Sequence, residues 1–169
     1  MRNRLYPTDY FTSTYVIDFE KYYSMGYRAV IFDVDNTLVE HDAPADDRAK
    51  EFIQKLKEIG FNICFLSNND EERVKMFNEQ VDCQYIFKAG KPSPKGYVKA
   101  MELMNVTKEQ TMFVGDQIFT DIWGANNAGI RSVLVQPIAK HEEIQIVLKR
   151  IPEKWILKGY LKNYPLRDK

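Results

Sequence analysis

Short apolar runs alternate with amphipathic stretches along most of the chain. Residues 28–33 (RAVIFD) are nearly continuous in apolar side chains and end in acid, the pattern of a strand buried on both faces. Residues 46–59 follow, with Ala49, Phe52, Ile53, Leu56 and Ile59 at helical spacing and Gly60 as a natural stop. Residues 61–66 predict a second strand, and Asp70 can cap a helix through Val74 and Phe77. Residues 84–87 predict a third strand. Pro94 can open a helix through Tyr97, Met101 and Met104. Residues 111–114 predict a fourth strand, 118–127 a helix stopped near Gly129, and 131–135 a fifth strand. Residues 141–150 return to helical spacing through Ile144, Val147 and Leu148, and Ile151 continues it.

This alternation implies βαβ units and an α/β fold. The expected architecture is a Rossmann-like three-layer sandwich with a mostly parallel sheet covered on both faces. Ligands of such sheets bind outside the carboxyl ends of the strands. That rule selects Asp33 after the first strand, Ser67 after the second and Gly115-Asp116 after the fourth. Ala89-Gly90-Lys91-Pro92 follows the third strand.

Composition narrows the class. The 169 residues fit one domain, with 44% apolar and 28% charged residues. Lys+Arg and Asp+Glu both number 24, which argues against nucleic-acid binding through bulk charge. No apolar run approaches the roughly 20 residues that span a bilayer. The N-terminal stretch lacks an apolar signal core, so the expectation is a cytoplasmic protein. Cys64 and Cys83 read as reduced thiols, and His41 and His141 as ordinary surface or loop histidines.

The strand ends carry the chemistry. Asp33 and Asp35 stand two residues apart and would point the same way if the strand continued. Asp116 and Asp121 add carboxylates from another strand end. Carboxylates converging on one rim repel one another. A hard divalent cation with oxygen ligands resolves that, and Mg²⁺ suits a few carboxylates plus waters and phosphate. Lys91 and the Ser67 hydroxyl would complete a site for a tetrahedral anion.

These residues resemble the haloacid dehalogenase superfamily of phosphohydrolases. DVDNT (33–37) matches its first motif, DxDxT; Ser67 matches the second, Lys91 the third, and GDQIFTD (115–121) the fourth. The four occur in order, each after a predicted strand. The resemblance implies that Asp33 is the nucleophile and forms an aspartyl-phosphate. Asp35 is then the general acid and later the base, in surroundings that keep it protonated part of the time. Thr37, Ser67 and Asn68 bind the phosphoryl group and Lys91 neutralises it. Asp33, Asp116 and the Asp35 carbonyl hold Mg²⁺, and Asp121 supports them from behind. Lys88 and Lys95 are candidates to assist Lys91. The segments between motifs have room for one helix and one strand each, so the site is expected to be open, without a cap domain.

A narrower resemblance reaches nearly the whole chain. LYPTDYFTSTYVIDFEKYYSMGYRAVIFDVDNTLVEHD, SNNDEERV, GDQIFTDIWGANNAGIRSVLVQPI and RIPEKWILKGYLK are similar to the YqeG-type group of subclass IIIA. Related eukaryotic members are phosphatidylglycerophosphate phosphatases, which implies a phosphorylated substrate with a lipid head group. Phosphoproteins, nucleotides and sugar phosphates stay open as substrates, and so does a non-catalytic phosphate-binding module.

The chain ends allow two readings each. Residues 1–27 are rich in aromatics, as a segment packed across the domain or as a contact surface. Residues 149–169 carry seven Lys or Arg against Glu153 and Asp168, with Trp155, Ile156, Leu157 and Tyr160 interleaved. They read as a docked helix with a solvated basic face or as a peripheral membrane-surface helix. The oligomeric state is open.

Overall fold

The computed structural model describes residues 3–139 and 144–168. His141 and the start of the expected last helix lie outside the described residues. The core is a six-stranded, wholly parallel sheet in the order β1-β6-β5-β2-β3-β4. Five strands lie where the apolar runs predict them: β2 (Ala29–Phe32), β3 (Asn62–Leu66), β4 (Gln84–Ile86), β5 (Thr111–Gly115) and β6 (Arg131–Val135).

The helices cover both faces. They are α1 (Phe19–Ser24), α2 (Asp47–Ile59), α3 (Glu71–Asn78), α4 (Lys95–Met104), α5 (Trp123–Ala128) and α6 (Ile144–Leu161). Local chemistry sets their ends. Asp46 accepts the Ala49 N–H at 2.8 Å and Asp70 the Arg73 N–H at 3.0 Å, satisfying donors that each first turn leaves free. Gly60 ends α2 at φ 115°, a conformation open to glycine at little cost. One side of the sheet packs Phe32, Phe65, Ile53 and Leu56 with the N-terminal aromatics Phe11, Phe19 and Tyr22. The other packs Ile31, Leu66, Phe113 and Tyr97.

Three differences from the sequence pattern have physical causes. β1 (Asp9–Phe11) adds a strand to the edge of β6. Its Asp9 is buried and accepts from Tyr22 Oη (3.0 Å), Arg131 Nε (2.7 Å) and Arg167 Nε (3.0 Å), so distant partners make a charged strand position tolerable. The expected helix 118–127 starts instead as a π-helical turn, Ile118–Ile122, before α5. The last helix runs on to Leu161 through Pro152, held by buried Tyr160 and Glu153 on its inner side. Tyr160 lies edge-on to Tyr6 and Tyr10, which ties both chain ends together.

The loop and α2 are all that separates β2 from β3, and α3 all that separates β3 from β4. Among the described residues no helix is long and apolar enough to cross a membrane. Cys64 and Cys83 are free thiols.

Candidate active site

β2 lies between β5 and β3, so the carboxyl ends of these three strands converge. Asp33 follows β2 and is buried, its N–H bonded to Val114 O at 3.0 Å. Lys91 Nζ donates to Asp33 Oδ1 at 2.8 Å and to Asp121 Oδ1 at 2.7 Å. Asn68 clamps the backbone of that lysine: its Oδ1 accepts the Lys91 N–H at 2.8 Å and its Nδ2 donates to Lys91 O at 3.2 Å.

Asp121 is fixed in turn. Its Oδ2 accepts the N–H groups of Asp116 and Gln117, both at 3.1 Å. Tyr97 Oη donates to Asp121 O at 3.0 Å. A Cβ on Gly115 would lie 2.5 Å from Asp121 Oδ2, so a side chain there cannot coexist with this packing. Thr37 Oγ1 donates to Asp116 Oδ1 at 3.2 Å and lies 3.5 Å from Asp33 Oδ2. Ser67 is buried at the end of β3, and its Oγ accepts the Asn69 N–H at 3.1 Å.

Asp33, Asp116 and Asp121 present carboxylate oxygens all within 4.8 Å of one another. Burial pushes the Asp33 carboxyl well above its usual range; Lys91 opposes this and the other two aspartates add to it. Burial also raises Asp116 to about 6, with Asp121 adding and Arg150 opposing. Burial works against the charge on Lys91, but Asp121 and Asp33 outweigh it and hold the ammonium protonated. Three buried acids thus face Lys91 and Arg150. The shortfall in positive charge and an all-oxygen donor set fit a hard divalent cation.

Asp35 points elsewhere. The strand stops at Phe32, so Asp33 and Asp35 diverge rather than share a face. Asp35 Oδ1 accepts from Arg73 Nη2 (2.8 Å), Arg73 Nε (3.1 Å) and the Asp42 N–H (2.9 Å), and Oδ2 accepts from Asn69 Nδ2 (2.6 Å). Asp35 thus stands in an ion pair with Arg73. Asp35, His41 and Asp42 also come together, but Arg73 already supplies positive charge there. Arg73 Nη1 is buried without a hydrogen-bond partner among the described residues. Lys88 and Lys95 are exposed; Lys88 meets the site only through its backbone N–H, which bonds Asn69 O at 2.8 Å.

Two arginines escaped the motif reading. Arg73 falls on the buried side of α3 beside Val74 and Phe77, where a charge at an apolar position is itself a signal. Arg150 reaches in from α6: Nη2 bonds Asp116 Oδ2 at 2.5 Å, Nη1 bonds Asp116 O at 2.6 Å, and Nη1 pairs with Glu153 Oε2 at 3.1 Å. Glu153 Oε1 accepts the Ile118 N–H at 2.8 Å, which pins the π-helical turn. Between α6 and the ends of β5 and β6 lies a cleft of about 480 Å³, lined by Asp116, Ile118, Leu134, Val147, Arg150 and Leu157.

Known proteins resemble this chain in sequence and in fold. A family model for haloacid dehalogenase-like hydrolases matches residues 40–129. Probable phosphatase YqeG of Bacillus subtilis (strain 168) is 36% identical over 152 residues, covering 89% of this chain and 88% of that protein. Phosphatidylglycerophosphate phosphatase 1, chloroplastic/mitochondrial, of Arabidopsis thaliana is 28% identical over 160 residues, covering 85% of this chain but 46% of that protein. The fold superimposes on a HAD family hydrolase from Deinococcus radiodurans R1, solved with bound phosphate and sodium, with a TM-score of 0.59 at 16% identity over 75% of this chain and 88% of that one. With a family model spanning more than half of its residues and a phosphatase-named relative along nearly its whole length, the chain belongs to the haloacid dehalogenase-like hydrolases and is a phosphatase of that family.

Proposed function

We propose that the protein is a Mg²⁺-dependent phosphomonoesterase that carries the phosphoryl group on Asp33, working as one domain with no cap over the site. The observation that carries this reading is the buried Asp33 carboxylate, held at 2.8 Å by Lys91 and grouped with Asp116 and Asp121. Asp33, Asp116 and the Asp35 carbonyl would hold the cation, with Asp121 behind them. When bound, Mg²⁺ supplies charge that offsets the repulsion between a carboxylate and a phosphate dianion.

The protein's own groups do the rest. Lys91 and the hydroxyls of Thr37 and Ser67 bind phosphoryl oxygens. Asp33 forms a bond to phosphorus as the ester oxygen departs, and Asp35 gives that oxygen its proton. Asp35 then takes a proton from water, which attacks the aspartyl-phosphate, releases phosphate and restores Asp33. For this the Asp35 carboxyl turns away from Arg73 and Asn69. Asn68 holds the lysine in place through the Lys91 backbone, beside the phosphoryl group.

Phosphatidylglycerophosphate is the proposed substrate. The Arabidopsis relative is named for it, and an uncapped site beside an apolar cleft admits a phosphate protruding from a large assembly. The test is phosphate release with Mg²⁺ from phosphatidylglycerophosphate in mixed micelles, beside nucleotide, sugar-phosphate and phosphopeptide substrates. Faster release from the lipid, lost in Asp33→Asn, supports both parts. Release from soluble esters alone removes the lipid substrate and leaves the chemistry. No release from any of them removes both.

A further inference from the structure

The outward side of α6 breaks the usual pattern of a surface helix. Its inner side is anchored by buried Glu153 and Tyr160. Ile144, Leu148, Ile151 and Trp155 recur at spacings of four, three and four on the opposite side, as one straight ridge. A helix docked on a globular body should be polar on its outer face. Here these four side chains are the most outward-turned large apolar groups of the described chain, at 75%, 61%, 54% and 71% exposure. Val147 widens the ridge beside them.

The same spacing continues into Lys158 and Lys162, and Lys154 flanks the ridge, all exposed. Lys158 Nζ lies 5.8 Å from the centre of the Trp155 ring. The one acidic residue between 144 and 162 is Glu153, and it is buried. Among the described residues of this helix the face therefore offers apolar bulk, an exposed tryptophan and positive charge with no exposed carboxylate beside it.

We propose that this face of α6 docks the protein on an anionic lipid surface. The charge fits: each lysine near such a surface is attracted, and long lysine stems let the ammonium reach head groups while the ridge enters the acyl boundary. The size fits as well. A ridge of four or five side chains exposes on the order of 500 Å², short of the roughly 800 Å² per partner of a stable protein interface. It suits a fluid surface that moulds around one helix. Arg150, on a neighbouring side of the same helix, bonds Asp116. Docking would thus bring the cleft within about one helix diameter, roughly 10–12 Å, of the lipid.

Docking goes beyond the catalytic reading, and vesicle binding needs no turnover. The full chain and Leu148→Ser/Trp155→Ser are floated with phosphatidylcholine vesicles made with and without phosphatidylglycerol. Both positions are exposed and outside the catalytic machinery, so circular dichroism and any hydrolysis of soluble esters should match the parent. The expected result is flotation with the phosphatidylglycerol vesicles, weakened by salt and reduced roughly tenfold or more in the double variant. Three results overturn the proposal: no flotation by a chain that stays monomeric, flotation that survives both substitutions, or no flotation with a dimer in solution that the substitutions abolish. The last assigns the ridge to a second copy of the chain.

Discussion

Removing Lys91 exposes the balance on which the site rests. Lys91→Met keeps the stem and deletes the charge that Asp33 and Asp121 share at 2.8 and 2.7 Å. Stripping one partner from a buried ion pair costs about 3–5 kcal/mol. For a chain of this size each kcal/mol moves Tm by roughly 2–4 °C, so the expected fall is about 6–20 °C near neutral pH. The pH dependence has a definite sign. The Asp33 carboxyl is already raised above its usual range by burial, and loss of Lys91 raises it further. A raised carboxyl binds its proton more tightly in the folded state, so the variant regains stability as pH falls and loses it as pH rises through the folded value. Thermal melts from pH 5 to 8 read this directly, with Lys75→Met, from the exposed Glu71–Lys75 pair, as the control that barely moves. Mg²⁺ should restore part of the lost Tm, because it supplies the missing charge. A deficit that is negligible at pH 8, or that grows on acidification, refutes the reasoning.

Arg150→Ala removes the donor to Asp116 Oδ2, and isothermal titration should show Mg²⁺ bound about 10–100-fold more weakly, as for other lost supports of a metal ligand; tighter binding would mean that the guanidinium competes with the cation. Gly115→Ala places a Cβ 2.5 Å from Asp121 Oδ2, so it should cost about 1–3 kcal/mol in denaturant melts and reduce turnover; a fully active, fully stable variant contradicts that packing. Burial raises the Cys64 thiol to about 12 and the Cys83 thiol to about 11, so neither should react quickly with a thiol reagent at pH 8 in the folded protein. The rate should climb as pH rises, and a fast phase at pH 7 would contradict the burial.

The parallel sheet was legible because its inner strands are buried on both faces and so appear as continuous apolar runs, as in residues 28–33. The strand-end rule then drew Asp33, Ser67 and Asp116 to one rim. β1 was not legible: three residues beginning with Asp9 resemble a strand only once Arg131 and Arg167, far along the chain, neutralise that acid. Within the site, the motifs placed Lys91, Thr37 and the three grouped aspartates together. They could not show the direction of Asp35, which depends on where β2 stops and on Arg73 one helix later. Arg150 was hidden among the basic residues of the tail, although its spacing to Glu153 and Tyr160 marks the inner side of α6. Glu153 and Tyr160 are buried on the inner side of that helix, while Ile151 and Trp155 stand exposed on its outer side.

The central claim is that phosphate passes through Asp33. The most direct test is acid quenching of the working enzyme with a substrate it turns over, followed by intact-protein and peptide mass measurement. The account predicts a fraction of chains heavier by one phosphoryl group, located to Asp33, accumulating further in Asp35→Asn and absent from Asp33→Asn. Turnover with no modified chain in either the parent or Asp35→Asn, or a phosphoryl group on another residue, contradicts it.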